Sequence, residues 1–455
     1  MSREERKRSR AGKEAAGLRE AKRADAETRD RVRLLAKGPG GSVAWIAILT
    51  AVFEAAGFLV ALQRPGSSPS LLAPELCLAV VLSELFTVLI LPRFLPLDPL
   101  LMALVNFLCG TGMVVLLTVS CERGERQMAF YLAGLVFMSV MSLAAEHLRH
   151  PRMTTAAAMA LGLALLCAPL ALGEWVNGAK NWITLPGLGS FQPSEFVKLC
   201  LIFVLAHYFS AHRTVLQMMP ALFFAAACML LLMLQRDLGT ALIYYLTTLV
   251  LFFAASGNVP LTVLGVGGGM GAAALGYRMF AHVKVRVSMW RNPWSDPTGG
   301  GYQIIQALLA IGSGGLFGVG LGQGTPEKIP EYFNDFIFAV VCEQLGQIFG
   351  VLLLAAYTAL IVRGTTLVLR ARRSFGMLLG CGVLTALSVQ TFMIAAGVIK
   401  LIPLTGVTLP FLSYGGSSLM ACMGMAGILH GTGAGARQAL KHELFTADGR
   451  TGVGA

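Results

Sequence analysis

Long apolar segments constrain this sequence more than any other feature. A helix that crosses the roughly 30 Å hydrocarbon core of a bilayer needs about 20 consecutive, mostly apolar residues. Twelve windows of the chain meet that requirement. They fall at approximately residues 42–63, 71–94, 98–119, 127–147, 153–172, 193–210, 217–234, 238–256, 261–281, 336–362, 376–396 and 413–430. The sequence therefore predicts an all-α polytopic membrane protein of about twelve spans.

The composition agrees with this prediction. Hydrophobic residues make up 55% of the 455 residues, charged residues make up 13%, and the mean hydropathy is +0.69. Soluble domains have an apolar share nearer to about 45–50%. The nine cysteines are scattered singly and never form a Cys-x-x-Cys pair, so we interpret them as small packing residues.

The N-terminal charges predict the orientation of the chain. Residues 1–37 contain thirteen Lys and Arg against seven Asp and Glu. A basic tail before the first span is expected in the cytoplasm, where it can also contact anionic membrane lipids. The tail has no aromatic residue to stack on bases, so we predict no nucleic acid partner. It is not expected to be a signal peptide, because the first apolar run begins only near Val43.

An even number of spans places both termini in the cytoplasm. Four further basic clusters fall on the same predicted side, at residues 147–152, 212–213, 363–373 and 437–441. Three longer connections then open on the outer face, at residues 173–192, 282–335 and 397–412. Long loops that carry Gly, Pro, Trp and charge between helices are usually functional or disordered. We expect any chemistry to lie in these connections.

Ionisable residues lie at the outer edge of two predicted spans. Glu195 and Lys198 are three residues apart on one helix face, which is compatible with a structural ion pair or with the lining of a substrate cavity. Asp237 follows Arg236 at a break between two apolar segments, where it either neutralises that arginine or serves a functional site. The sequence leaves both alternatives open.

Asp335 is the most informative carboxylate of the long outer loop. It directly precedes an apolar run, where burial raises the pKa of a carboxyl group and nearby loop cations lower it. Such a group can act as a general base. It can equally well cap the following helix, and spacing alone does not separate the two roles.

Seven further sequence strings lie at residues 177–182, 192–198, 237–240, 301–303, 320–322, 330–338 and 403–418. Taken in order, they resemble the signatures of the SEDS family (shape, elongation, division and sporulation), which includes the RodA, FtsW and SpoVE proteins. The resemblance covers roughly residues 98–430 and implies a ten-helix core. Arg236 and Lys400 depart from it, because the family often has Pro and Gly at these positions.

The resemblance also implies a domain organisation. Residues 1–41 are a basic cytoplasmic tail, and residues 42–97 are two extra N-terminal transmembrane helices. The core occupies residues 98–432 and includes the outer loop 282–335, while residues 433–455 form a cytoplasmic C-terminal tail.

The activity implied by the resemblance is that of a peptidoglycan glycosyltransferase in the bacterial cytoplasmic membrane. Such an enzyme uses lipid II, an undecaprenyl-pyrophosphate disaccharide-pentapeptide, and transfers the growing lipid-linked glycan onto it with inversion at the outer face. The process serves elongation, division or sporulation. The usual partner is a class B penicillin-binding protein, which crosslinks the new strand, and a divalent metal ion, Mg²⁺ or Mn²⁺, is expected.

The same resemblance assigns the site residues. Asp335 corresponds to the essential Asp of the family and is the candidate general base. The candidate substrate-binding residues are Arg286, Lys328, Glu195, Lys198, Asp237, Tyr302, Gln303, Ser413 and Ser417. Metal ligands are not assigned.

Two alternative functions belong to other classes: a flippase that transports lipid II, and a non-catalytic scaffold for the penicillin-binding protein. A flippase needs a charged cavity that alternates between the two membrane faces. The concentration of charge in one outer loop favours the polymerase.

Overall fold

The computed structural model describes residues 41–64, 68–95, 97–147, 152–176, 178–185, 189–211, 214–371 and 373–451. The basic residues 1–37 lie outside the described residues, as do residues 148–151, 212–213 and 372 of the predicted cytoplasmic clusters. The side chains of residues 434–455, which include the basic residues at 437–441, are also outside the description.

Fifteen α-helices and one small sheet make up the described part of the chain. The helices before the sheet are α1 Gly41–Leu62, α2 Ala73–Leu89, α3 Pro99–Val119, α4 Cys121–His147 and α5 Arg152–Leu172. The helices after it are α6 Pro193–Ala211, α7 Val215–Leu234, α8 Leu238–Ser256, α9 Val259–Met279, α10 Ala281–Arg291, α11 Tyr302–Gly314, α12 Ile337–Leu345, α13 Gln347–Val368, α14 Ser374–Val398 and α15 Gly416–Thr451. Short 3₁₀ helices occur at Leu91–Arg93, Pro293–Ser295 and Pro326–Lys328.

The predicted all-α polytopic class is confirmed. Eleven helices in the described part of the chain are long and apolar enough to cross a membrane. The twelfth predicted window, 413–430, coincides with the first part of α15. Fold class could be predicted because a span depends mainly on the length and polarity of a single segment.

One predicted window, 336–362, was wrong as a single span. The chain forms the short buried helix α12, breaks at Gly346, and only then enters the span α13. Gly346 has a φ of +91°, and a Cβ atom at this position would lie 2.4 Å from the Leu316 carbonyl oxygen. Only glycine satisfies both the conformation and the close approach, so the helix ends there.

Helix α3 lies at the centre of the fold. Nearly all of its side chains are buried, and a Cβ atom at Gly112 would lie 2.4 Å from the carbonyl oxygen of Leu412. The loop before α15 therefore packs directly on the α3 backbone. Helix α9, by contrast, has no buried residue and lies at the periphery.

The two extra helices, α1 and α2, pack against this central part. Phe53 of α1 stacks on Phe349 of α13 with ring centroids 5.5 Å apart. A Cβ atom at Gly57 would lie 2.6 Å from Val114, so α1 and α3 approach closely at this glycine. Glu54 of α1 and Glu84 of α2 are both buried, and their carboxyl groups interact with each other.

The first outer connection folds into a three-stranded antiparallel sheet. Its strands are β1 Glu174–Val176, β2 Ala179–Leu185 and β3 Gly189–Phe191, in that order. The Lys180 N–H donates to the Gln235 carbonyl oxygen at 2.9 Å, which docks β2 on the end of α7. The sheet thus covers the outer ends of the neighbouring helices.

Candidate active site

Asp335 lies in a short segment that is fixed by backbone contacts with the loop before α15. The Phe333 carbonyl oxygen accepts a hydrogen bond from the Tyr414 N–H at 2.9 Å. The Asn334 carbonyl oxygen accepts one from the Ser413 hydroxyl at 2.7 Å. The N-cap of α12 is Phe336, and no side chain caps this helix. The side chain of Asp335 therefore does not serve as a helix cap.

Arg286 and Asp335 meet at the turn around Gly406. A Cβ atom at Gly406 would lie 3.4 Å from Arg286 Nη2 and 3.6 Å from Asp335 Oδ2. Arg286 also donates from Nη1 to the Thr405 carbonyl oxygen at 3.0 Å. Gly406 has a φ of +73°, so the turn that brings the two charged groups together uses a conformation that favours glycine.

The surroundings of Asp335 raise the pKa of its carboxyl group to about 7. Burial is the largest cause, and the negative charge of Glu331 adds to it, whereas the positive charge of Arg286 acts in the opposite direction. A carboxyl group with a pKa near 7 is partly ionised at neutral pH and is suited to accept a proton. The other predicted carboxylates, Glu195 and Asp237, instead make structural contacts.

Glu195 and Lys198 form a buried ion pair. Lys198 Nζ lies 3.0 Å from Glu195 Oε2 and donates to Gln390 Oε1 at 2.7 Å. Gln390 donates in turn to the Thr408 carbonyl oxygen at 2.9 Å, and the Thr408 and Ser418 hydroxyl oxygens lie 2.6 Å apart. The structural ion pair is thus present, and through Gln390 it supports the 403–418 segment.

Asp237 caps α8 and holds the outer sheet. Its Oδ1 accepts the Thr240 N–H at 3.1 Å, while Oδ2 accepts from Asn181 Nδ2 at 3.0 Å and from Gln192 Nε2 at 3.2 Å. Arg236 instead lies over the ring of Trp175, with its guanidinium carbon 4.9 Å from the centroid. The neutralisation of Arg236 by Asp237, which the sequence left open, is not what the structure contains.

The other predicted substrate-binding residues occupy different positions. Lys328 is exposed, and its positive charge acts to lower the pKa of Glu343. The charged groups that shift the pKa of Asp335 are Glu331 and Arg286 instead. Tyr302 and Gln303 begin α11 and are half-buried. Ser413 and Ser417 are buried and bind backbone groups: Ser413 Oγ contacts Asn334 and Leu409, and Ser417 Oγ accepts the Gln192 N–H at 3.4 Å.

Sequence reasoning missed two residues at the start of α4 that contact this site. Gln127 donates from Nε2 to the Ser413 carbonyl oxygen at 3.0 Å and accepts the Gly415 N–H at 3.2 Å. Arg123 lies over the ring of Phe333, with its guanidinium carbon 3.8 Å from the centroid. The available signal was a pair of polar residues four apart at the outer end of an apolar helix, but their partners lie more than 200 positions away.

Sequence comparison identifies relatives over most of the chain. The family of FtsW, RodA and SpoVE, described as cell cycle proteins, matches residues 99–436. The peptidoglycan glycosyltransferase RodA of Mycobacterium tuberculosis is 36% identical over 381 residues, which cover 77% of this chain and 81% of that protein. Stage V sporulation protein E of Bacillus subtilis is 40% identical over 263 residues, which cover 56% of this chain and 71% of that protein.

Solved structures give a consistent picture of the fold. The rod shape determining protein RodA of Thermus thermophilus superposes with a TM-score of 0.54 at 28% identity and covers 74% of this chain and 98% of its own. A chain from a study of polymerization and crosslinking by a peptidoglycan synthase complex has a TM-score of 0.62 at 24% identity, covers 75% of this chain and 98% of its own, and supports the fold alone. On the sequence match over residues 99–436 and the RodA similarity, the chain belongs to the FtsW, RodA and SpoVE family of cell cycle proteins.

Proposed function

We propose that this multi-pass membrane protein is a peptidoglycan glycosyltransferase that polymerises lipid II at the outer face of the bacterial cytoplasmic membrane. The observation that carries the proposal is the convergence of Asp335 and Arg286 on Gly406. Glycosyl transfer from a pyrophosphate donor needs a base that accepts the proton of the attacking hydroxyl group. It also needs a fixed cation that stabilises the leaving pyrophosphate. Relatives at this level of similarity are named peptidoglycan glycosyltransferases.

In the proposed reaction, Asp335 acts as the general base. The carboxylate removes the proton of the 4-hydroxyl group of the incoming lipid II, and that oxygen attacks C1 at the reducing end of the growing lipid-linked glycan. The new C1–oxygen bond forms as the bond from C1 to the pyrophosphate oxygen breaks. The leaving pyrophosphate takes the electron pair, and attack from the opposite side inverts the anomeric carbon.

Arg286 is suited to the negative charge that develops on the leaving group. Its Nη1 is held by the Thr405 carbonyl oxygen, while the rest of the guanidinium stays exposed on the outer side. A guanidinium fixed in advance stabilises a developing charge without reorganising during the reaction. The buried pair Glu195 and Lys198 supports this arrangement indirectly, through Gln390 and Thr408.

A divalent cation is compatible with these residues. Among the described residues there is no cluster of three or more His, Cys, Asp or Glu side chains that could hold a metal by themselves. Mg²⁺ commonly binds through substrate phosphates and only one or two carboxylates, and Asp335 and Glu331 are the carboxylates that interact here. Such an ion would supply positive charge to the pyrophosphate.

The proposed partner is a class B penicillin-binding protein. A structural neighbour of this chain comes from a peptidoglycan synthase complex whose study concerns both polymerization and crosslinking. A polymerase that works with a transpeptidase in one complex delivers each new strand directly to the crosslinking enzyme. We propose the same division of labour for this chain.

The decisive test is polymerisation of labelled lipid II by the purified protein with its co-purified partner, with and without Mg²⁺. Wild type is expected to form glycan and Asp335→Asn none, because the amide cannot accept the proton. Glu327→Gln is the matched control, since Glu327 is an exposed carboxylate of the same loop.

The outcomes separate the alternatives. Full activity of Asp335→Asn would remove the general-base assignment. If the folded wild-type complex forms no glycan while a control enzyme is active, the protein is a flippase or a scaffold. Transport of labelled lipid II into vesicles would then identify the flippase.

A further inference from the structure

The first turn of α4 faces the segment that precedes Asp335. The guanidinium carbon of Arg123 lies 3.8 Å from the ring centroid of Phe333 and 5.8 Å from that of Tyr332. Arg123 Nη1 also donates to the Tyr332 hydroxyl oxygen at 3.0 Å. A cation over an aromatic face is attracted by the ring quadrupole, and the flat guanidinium stacks there better than an ammonium group. Arg123 thus contacts both aromatic residues of the 331–335 segment.

The aromatic contacts extend across to the loop before α15. Tyr332 and Phe333 meet edge to face at 5.2 Å, and Phe333 and Tyr414 do so at 5.9 Å. The Tyr414 N–H also binds the Phe333 carbonyl oxygen at 2.9 Å. Phe333 therefore lies between the Arg123 guanidinium and Tyr414.

Helix α4 supports both sides of this junction. Gln127 lies four residues after Arg123 and so shares its face of the helix. Gln127 binds the backbone of Ser413 and Gly415, while Arg123 binds Tyr332 and Phe333. One helical turn thereby holds the two loop segments that meet beside Asp335.

The backbone of the 331–335 segment depends on such support. Glu331 adopts a φ of +57°, in the left-handed region that a residue with a side chain rarely occupies. A conformation of this kind persists where surrounding contacts fix it. The Asn334 N–H closes a turn onto the Glu331 carbonyl oxygen at 3.0 Å, and Asn334 Nδ2 binds Glu331 Oε2 at 3.1 Å.

We propose that Arg123 is a positioning residue for Asp335. By stacking on Phe333 and binding the Tyr332 hydroxyl, it fixes the 331–335 segment so that the Asp335 carboxylate stays beside Arg286 at Gly406. Arg123 itself does not contact the reacting atoms. The kinetic consequence rests on the proposed glycosyltransferase function, whereas the effect on the mobility of the segment does not.

The kinetic test compares Arg123→Gln, Arg123→Lys and the control Glu122→Gln in lipid II polymerisation by the full complex. Glu122 neighbours Arg123 and forms an exposed ion pair with Arg126, at 2.7 Å. Because a small misplacement of a catalytic group is costly, Arg123→Gln is expected to lower kcat roughly tenfold to a hundredfold with little change in KM. Arg123→Lys should recover part of the loss, and Glu122→Gln should match wild type.

Two further readouts distinguish positioning from a general loss of stability. Loosening the segment exposes Asp335 to water, so the acid limb of the kcat profile should move to lower pH in Arg123→Gln. In a Phe333→Leu background, Arg123→Gln should cause a smaller loss than it does in wild type, because the stacking contact is already absent and only the hydrogen bond to Tyr332 remains to be lost.

Amide hydrogen exchange tests the proposal without an activity measurement. Arg123→Gln should speed exchange of the amides of residues 334 and 414, whose bonds hold the segment, and Glu122→Gln should leave them unchanged. Wild-type exchange at these amides in Arg123→Gln would overturn the proposal, as would additive losses in the double variant. If the wild type forms no glycan, the proposed function fails, while the exchange data still decide whether Arg123 holds the segment.

Discussion

Arg286 and Asp335 approach one glycine, with Arg286 Nη2 3.4 Å and Asp335 Oδ2 3.6 Å from the position of a Cβ atom at Gly406. In the sequence, α11 and two 3₁₀ helices separate the two residues, and the turn at residues 405–406 brings them together. This relationship places a cation beside the carboxylate whose pKa is raised to about 7.

Polymerisation should rise with pH through about 7, because a general base works in its deprotonated form and the pKa of Asp335 is raised to that value. Below it, the rate should fall about tenfold per pH unit as the carboxyl group becomes protonated. The measurement is the pH profile of kcat for lipid II polymerisation. A profile flat from pH 5 to 8, measured at about one-unit steps, would contradict the assignment.

Arg286→Gln and Glu331→Gln should move this acid limb in opposite directions. The positive charge of Arg286 lowers the pKa of Asp335, so its removal should shift the limb to higher pH. The negative charge of Glu331 raises the same pKa, so its removal should shift the limb to lower pH. Shifts of the same sign in both variants would show that the electrostatic account is incorrect.

Gly406→Ala should reduce both activity and stability. The φ of +73° disfavours a side chain by about 1–2 kcal/mol, and the turn that relieves this strain would move the groups that position Arg286 and Asp335. Gly267→Ala in α9 is the control, since a Cβ atom there has no neighbour within 4 Å. Thermal unfolding in detergent and the polymerisation assay check this expectation, and equal behaviour of the two variants would refute it.

Glu195→Ala should strongly destabilise the fold. It leaves the buried Lys198 ammonium without its carboxylate, a loss of about 3–5 kcal/mol for a buried pair. Glu195→Gln should cost less, because its amide oxygen still accepts from Lys198. The unfolding midpoints of both variants are compared with that of Glu122→Gln, which breaks an exposed ion pair that contributes little to stability. A midpoint unchanged in Glu195→Ala would mean that the pair is not structural.

Gly110→Ala should loosen the packing of α1 on α3. A Cβ atom at Gly110 would lie 1.6 Å from Glu54 Oε1, so the buried carboxyl group and its helix must shift, at a cost of about 1–3 kcal/mol. By contrast, Glu54→Gln combined with Glu84→Gln should preserve the fold, since the shapes are retained and no described cation pairs with these residues. The measurement is the unfolding midpoint of each variant. A lowered midpoint is expected for Gly110→Ala and a midpoint near that of wild type for the double variant.

The position of the candidate site along the chain followed from local sequence patterns, whereas its contacts did not. Asp335 was recognisable because it stands between a charged loop and an apolar run. By contrast, the sequence did not show that Asp335 leaves the N-cap position of α12 to Phe336. The break at Gly346 was missed because an apolar window does not reveal that Leu316 lies against that glycine.

The sequence by itself determined the fold class and the approximate limits of most spans, because crossing a bilayer requires one segment of sufficient length and apolarity. It also determined the family, through strings of adjacent residues. Only the tertiary structure decided which polar groups meet: Lys198 with Gln390, Asp237 with Asn181 and Gln192, and Arg123 with Phe333. These pairs join residues tens to hundreds of positions apart, and buried polar groups take whichever partners the helix packing places within reach.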